Sequence, residues 1–121
     1  MVKKVLIVDD DEEMCMVLKD ILSFNHYDVE LAHDGLQAFQ KAHEEKFDLI
    51  LLDVCMPVFS GFWFCDAFKN KPETQNIPVI MMSGLSKEEN ADKALELGAA
   101  AYLKKPVNAD RLLSILKEVL A

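Results

Sequence analysis

Five residues of this chain carry side chains fit for chemistry and fall at matching places in its hydrophobic pattern: Asp9, Asp10, Asp53, Ser83 and Lys105. Each closes or follows a short apolar run. Val5-Leu6-Ile7-Val8 runs into Asp9-Asp10, Leu49-Ile50-Leu51-Leu52 into Asp53, Ile77 to Met82 into Ser83-Gly84, and Ala101 to Lys104 into Lys105-Pro106. Runs so short and so apolar read as strands covered on both faces, the usual state of a parallel strand. Ligands of open α/β sheets bind at the carboxyl ends of such strands. Taken singly, Asp53 is an ordinary strand-end residue, Ser83 a strand-end hydroxyl and Lys105 a solvated lysine beside Lys104. Together, at consistent strand ends, they make a site.

Three carboxylates gathered at one end of a sheet repel one another and raise each other's pKa unless a cation intervenes. All-oxygen donors favour a hard ion, and an open site with few carboxylates suits Mg²⁺, which keeps waters and shares phosphate oxygens. A carboxylate is a competent nucleophile toward phosphorus. A hydroxyl and an ammonium nearby suit the equatorial oxygens of a transferring phosphoryl group.

The elements that must position these residues alternate regularly. Asp11 is a candidate N-cap for a first helix carrying Met14, Val17, Leu18, Ile21 and Leu22, with Glu12 and Glu13 at the positive end of its dipole. Val29 to Ala32 alternates as an outer strand does. Asp34-Gly35 turns into a second helix with Leu36, Ala38, Phe39 and Ala42 as its apolar positions. After the strand at Asp48 to Asp53, Gly61 opens a third helix in which Phe64, Cys65 and Phe68 share a face, ended by Lys71-Pro72. Ser86 caps a fourth, with Glu88 and Glu89 in its first turn and Gly98 after its end. Asn108 or Asp110 starts the last, where Leu112, Leu113, Leu116, Val119 and Leu120 form a broad arc. Five strands alternating with five helices dictate an α/β fold, a doubly wound parallel sheet with helices on both faces, since each parallel return needs a right-handed crossover. The polar second strand reads as an edge, and the strands ending in Asp10, Asp53 and Ser83 as the middle.

Composition excludes several functions. At 121 residues and 51% hydrophobic the chain is one compact domain with a real core. A net charge of -8 argues against a direct nucleic-acid surface, which needs clustered base. No apolar run approaches a membrane span and no signal pattern opens the chain, so no membrane partner is expected. Cys15, Cys55 and Cys65 form no CxxC pair and fit free thiols in a reducing cytoplasm. His26, His33 and His43 lack metal-ligand spacing and read as surface residues.

The combination Val8-Asp9-Asp10, Leu52-Asp53 with Met56-Pro57, Gly61, Ser83-Gly84, and Tyr102 with Lys105-Pro106 resembles the response-regulator receiver domain of two-component signal transduction, the CheY-like family, over essentially the whole chain. The resemblance implies a flavodoxin-like (βα)5 fold with strand order 2-1-3-4-5, and a single receiver domain over 1–121. It implies that Asp53 is the phosphoacceptor, and that Asp10 and Asp53 ligate Mg²⁺ together with the backbone carbonyl of Cys55, Asp9 acting largely through water. Lys105 would pair with the phosphoryl group, and its bond to Pro106 would be cis. Ser83 and Tyr102 would be the switch pair, the hydroxyl moving to the phosphoryl oxygen and the ring swinging inward. A histidine kinase or histidine phosphotransfer protein would be the donor, and a separate partner or a missing output domain the target, because the last helical pattern runs to within a residue of Ala121.

Three features depart from the common pattern: Cys55 at a position often polar, Lys104 as a second positive charge before the pairing lysine, and the heavy run Phe62-Trp63-Phe64. Residues two past the acceptor and two past the switch hydroxyl, Cys55 and Leu85, line the path of hydrolytic water in the family. Neither side chain guides water well, so slow dephosphorylation is expected. Trp63, one residue off the Phe64 and Phe68 stripe, is expected partly exposed on a partner surface, or else folded over Val58-Phe59. Other readings remain. A haloacid-dehalogenase-type phosphatase needs an acid where Cys55 stands, and a flavodoxin-like cofactor binder would have its phosphate repelled by Asp9-Asp10-Asp11. An unphosphorylated interaction module on the same fold is the third.

Overall fold

The computed structural model describes residues 2–56, 60–84 and 88–121. The elements follow in strict alternation: β1 (Lys4–Val8), α1 (Glu12–Phe24), β2 (Asp28–Ala32), α2 (Gly35–Glu44), β3 (Leu49–Asp53), α3 (Gly61–Lys69), β4 (Val79–Ser83), α4 (Glu88–Glu96), β5 (Ala101–Lys104) and α5 (Ala109–Leu120). All strands are parallel in one sheet, ordered β2-β1-β3-β4-β5. The doubly wound sheet read from the sequence is therefore the fold, with β2 at one edge and β3 in the centre.

Strand periodicity divides the core into two layers. Leu6, Val8, Ile50, Leu52, Val79 and Met81 face one side, where Ala38, Ala42, Phe64, Phe68 and Ala94 from α2, α3 and α4 cover them. Val5, Ile7, Leu49, Leu51, Ile80, Met82 and Leu103 face the other, under Cys15, Leu18 and Leu22 of α1 and Leu112, Ile115 and Leu116 of α5. Both faces of β3 are buried along its length, which explains its unbroken run of branched apolar residues.

Helix starts are set by side-chain caps. Asp11 accepts from the N–H groups of Glu13 and Met14, Asp34 from that of Gln37, Ser60 from that of Trp63 and Asn108 from that of Arg111. Asn108, not Asp110, is thus the cap of α5, and Ser86 lies outside the described residues. Gly98 follows α4 with φ 97, a left-handed position that glycine occupies without strain. Two apolar positions face differently from their expected placement. Val17 and Leu36 are exposed, while Cys15 and Ile115 are buried. At 100° per residue, the face of α1 set by Cys15, Leu18 and Leu22 leaves Val17 far round the helix, and Gly35, Ala38 and Ala42 do the same to Leu36. All three histidines are exposed.

Candidate functional site

The carboxyl ends of β1, β3, β4 and β5 lie side by side, and the chemistry-bearing residues converge there. In the ladder, Val8 pairs with Leu52, Asp53 with Met82, and Ser83 with Lys104. Backbone bonds extend the sheet into the loops: Asp9 N–H donates to Ala32 O at 3.1 Å, Val54 N–H to Met82 O at 2.8 Å, and Lys105 N–H to Ser83 O at 2.7 Å. The site therefore inherits the rigidity of the sheet.

Asp9 is fully buried and both its oxygens are engaged. Oδ1 accepts from Asp11 N–H at 3.0 Å, and Oδ2 from the Lys105 ammonium at 3.0 Å. Its carbonyl accepts from the Cys15 thiol at 3.2 Å, and burial, helped by the Asp9 charge, pushes that thiol up to about 11. Cys15 thus stays a thiol that props the Asp9 loop. Asp53 is only 3% exposed. The Lys105 ammonium lies 3.1 Å from Asp53 Oδ1, an ion pair off the direction of a hydrogen bond, so that buried oxygen has no directed donor.

The electrostatics follow. Burial and then the negative charge of Asp9 push the Asp53 carboxyl up to about 6, against the opposing pull of Lys105 and of the Cys55 N–H. Burial works against the charge of Lys105, but the bond to Asp9 and the charge of Asp53 outweigh it and hold the ammonium above the ordinary lysine value. Asp10 is exposed at the mouth. One carboxylate oxygen from each of Asp9, Asp10 and Asp53 lies within 4.8 Å of the other two. A donor set of hard oxygens that close, two of its members buried, fits a hard divalent cation.

The remaining expected residues fall around this centre. Ser83 is fully buried at the end of β4. Tyr102 is partly buried on β5, opposite Met81 in register, and packs against the layer under α4. The Lys105–Pro106 bond is cis. Cys55 is exposed, and no acid stands at that position to serve as a phosphatase's proton donor. Leu85 lies outside the described residues, as do Val58 and Phe59. Trp63 is 51% exposed, and its ring meets that of Phe64 edge-on at 5.0 Å between centroids.

Gly61 proves more than a helix opener. A Cβ there would stand 2.0 Å from the Asp53 carbonyl oxygen and 2.8 Å from Val54 Cα, and the Gly61 N–H donates to Val54 O at 2.7 Å. The chain folds back so tightly after Asp53 that only glycine fits. Its place in the sequence motif hinted at this; the reason needs the closeness of Gly61 to Asp53 and Val54 in space.

The sequence model described as the response regulator receiver domain matches residues 5–117. The chain belongs to the response regulator receiver family. This is a signalling family and not a class of enzyme in the usual sense, and the chain is a receiver domain of two-component response regulators. Among its relatives, the transcriptional regulatory protein CpxR of Escherichia coli strain K12 is 39% identical over 117 residues, covering 97% of this chain and 49% of CpxR. The transcriptional regulatory protein ZraR of Klebsiella oxytoca is 40% identical over 118 residues, covering 97% of this chain and 26% of ZraR. The receiver thus spans half or less of the length of these curated relatives. In structure it is similar to the chemotaxis protein CheY4 of Vibrio cholerae, with a TM-score of 0.93 and 35% identity, covering 99% of this chain and all of that one. Among the described residues, no helix of the receiver is long and apolar enough to cross a membrane.

Proposed function

We propose that Asp53 is the phosphoacceptor of a histidine–aspartate phosphorelay, within a single receiver domain formed by residues 1–121. The observation that carries this is the placing of one buried carboxylate oxygen, without a directed donor, between a lysine ammonium and two further carboxylates. Asp9, Asp10 and Asp53, with the backbone carbonyl of Cys55, would hold Mg²⁺, and Asp53 Oδ1 and its neighbours offer the hard oxygens it needs. Bound there, the ion would offset the charge of the carboxylates and of the phosphoryl oxygens.

The chain's own residues then divide the work. The Asp53 carboxylate attacks the phosphorus of a phosphohistidine on a kinase or phosphotransfer protein. The new O–P bond forms as the P–N bond breaks, and the electron pair stays on the imidazole, which takes up a proton. Lys105, already against Asp53, meets a phosphoryl oxygen and keeps its second bond to Asp9. The Ser83 hydroxyl takes another phosphoryl oxygen and Tyr102 moves inward beside it, changing the face presented to an output partner or output domain. The phosphoryl charge thereby biases a two-state element.

Acetyl phosphate with Mg²⁺, read by intact mass, tests the assignment. One added phosphoryl group is expected in the parent and none in Asp53→Asn or in the parent with EDTA. Undiminished labelling of the variant would place the nucleophile elsewhere.

A further inference from the structure

Among the described residues, two buried side-chain polar atoms lack a hydrogen-bond partner: Asp53 Oδ1 and Asn90 Nδ2. The first belongs to the acceptor site. The second has no part in the chemistry described so far. A buried amide left unpaired costs free energy, because it has given up its hydrogen bonds to water without replacing them. Such groups are rare in folded chains and mark places where strain is held in reserve.

The place of Asn90 is set by its neighbours on the helix. It is the third residue of α4, the helix that runs back from the carboxyl end of β4, where Ser83 closes the strand. One turn further along, the Lys93 ammonium stands 4.7 Å from the centroid of the Phe62 ring on α3. Ala94 beside it is fully buried in the layer that holds Phe62 and Met81. Residues three and four apart share a helix face, so Asn90 lies on the side that α4 turns toward α3 and the sheet, at the end nearer Ser83. Tyr102 packs against that same layer, and Phe62 directly follows Gly61, the glycine pressed against the Asp53 carbonyl. The unpaired amide thus belongs to the helix that follows Ser83 and covers the layer against which Tyr102 packs.

Resting on the phosphoacceptor role of Asp53, we infer that Asn90 is a further switch residue: its amide is held unpaired in the unphosphorylated receiver and gains an acceptor once Ser83 and Tyr102 move. The penalty then raises the resting state alone. Asn90 tilts the two-state equilibrium toward the signalling conformation before any phosphoryl group arrives. The apparent affinity for a ligand that selects the signalling state scales with the population of that state. An unsatisfied buried donor of ordinary cost corresponds to about tenfold in that population.

The test uses beryllofluoride, a non-covalent mimic of an aspartyl phosphoryl group, titrated by calorimetry at saturating Mg²⁺. Asn90→Leu and Asn90→Ala remove the amide with and without keeping its bulk. Each should bind beryllofluoride about tenfold more weakly than the parent. Without Mg²⁺ and beryllofluoride, both variants should unfold at a urea midpoint no lower than the parent's, since the amide contributes no bond at rest. The alanine variant decides the matter where leucine packs badly. An amide with a purely structural role would lower the midpoint and leave the affinity intact. A lowered midpoint in both variants, or an unchanged affinity in both, would overturn the inference while leaving Asp53 as acceptor. A parent that acetyl phosphate does not label and beryllofluoride does not bind would overturn the acceptor role itself, and this inference with it.

Discussion

Replacing Asp53 by asparagine should make the metal-free protein more stable, and the size of the gain follows from the site. The Asp53 carboxyl is pushed from 3.8 up to about 6, by burial first and then by Asp9. A folded-state pKa above the unfolded value means that the folded chain binds the proton more tightly. Stability is therefore fully present below the unfolded pKa and lost as pH rises from about 4 to about 6. At neutral pH the buried carboxylate costs about 3 kcal/mol, from roughly two pKa units at about 1.4 kcal/mol each. Asparagine keeps the shape and removes the charge, but it leaves Lys105 with Asp9 alone and adds an amide to be satisfied, which offsets about 1 kcal/mol. The net gain expected at pH 7.5 in EDTA is about 1–2 kcal/mol, or roughly 4–10 °C in Tm for a domain of this size. Urea unfolding followed by circular dichroism at pH 7.5, 6 and 4.5 measures it. The gain should shrink toward pH 4.5, where the parent is protonated, and Mg²⁺ should stabilise the parent far more than the variant. A variant no more stable than the parent at pH 7.5, or a gain unchanged at pH 4.5, would refute the electrostatic account of the site.

Gly61→Ala should lose roughly 2–4 kcal/mol in the same unfolding experiment, since the new methyl meets the Asp53 carbonyl, and should label poorly with acetyl phosphate even where it folds. Trp63, half exposed, should be quenched readily by acrylamide; a protected indole would end its candidacy as a contact residue on a partner surface. The phosphoryl group on Asp53 is expected to be long-lived, because the resemblance to the family implies that positions 55 and 85 line the path of hydrolytic water, and a thiol and an isobutyl group guide water poorly. Cys55→Asn combined with Leu85→Glu should speed its loss about tenfold or more, and an unchanged decay would show that these positions do not set the lifetime.

Much of this was legible because the chemistry sits where the hydrophobic pattern stops. Apolar runs ending in Asp9, Asp53, Ser83 and Lys105 define the strands and the site in one stroke, and parallel order puts all those ends on the same edge. The cap at Asp11 was readable for the same local reason, and that of α5 was narrowed to Asn108 or Asp110. What the sequence hid is which way marginal residues face. Val17 and Leu36 have the right type and the wrong phase, and Cys15 has the right phase and a type that apolar patterns undercount. The closeness of Gly61 to the Asp53 carbonyl was hidden more deeply, because it depends on how near the start of α3 comes to the end of β3 and not on any spacing.

The Lys105 bridge joins residues 96 positions apart, reaching from the end of β5 to the end of β1 with Asp53 of the central strand between. Contacts of such long sequence separation form only once the intervening chain has been gathered, so they come late in assembly. A chain with β1 to β4 in place but β5 undocked would already display Asp53, Asp9 and Ser83, yet lack the cation that the proposed function assigns to the phosphoryl group. On the proposed role of Lys105, competence to receive a phosphoryl group would be tied to completion of the last crossover.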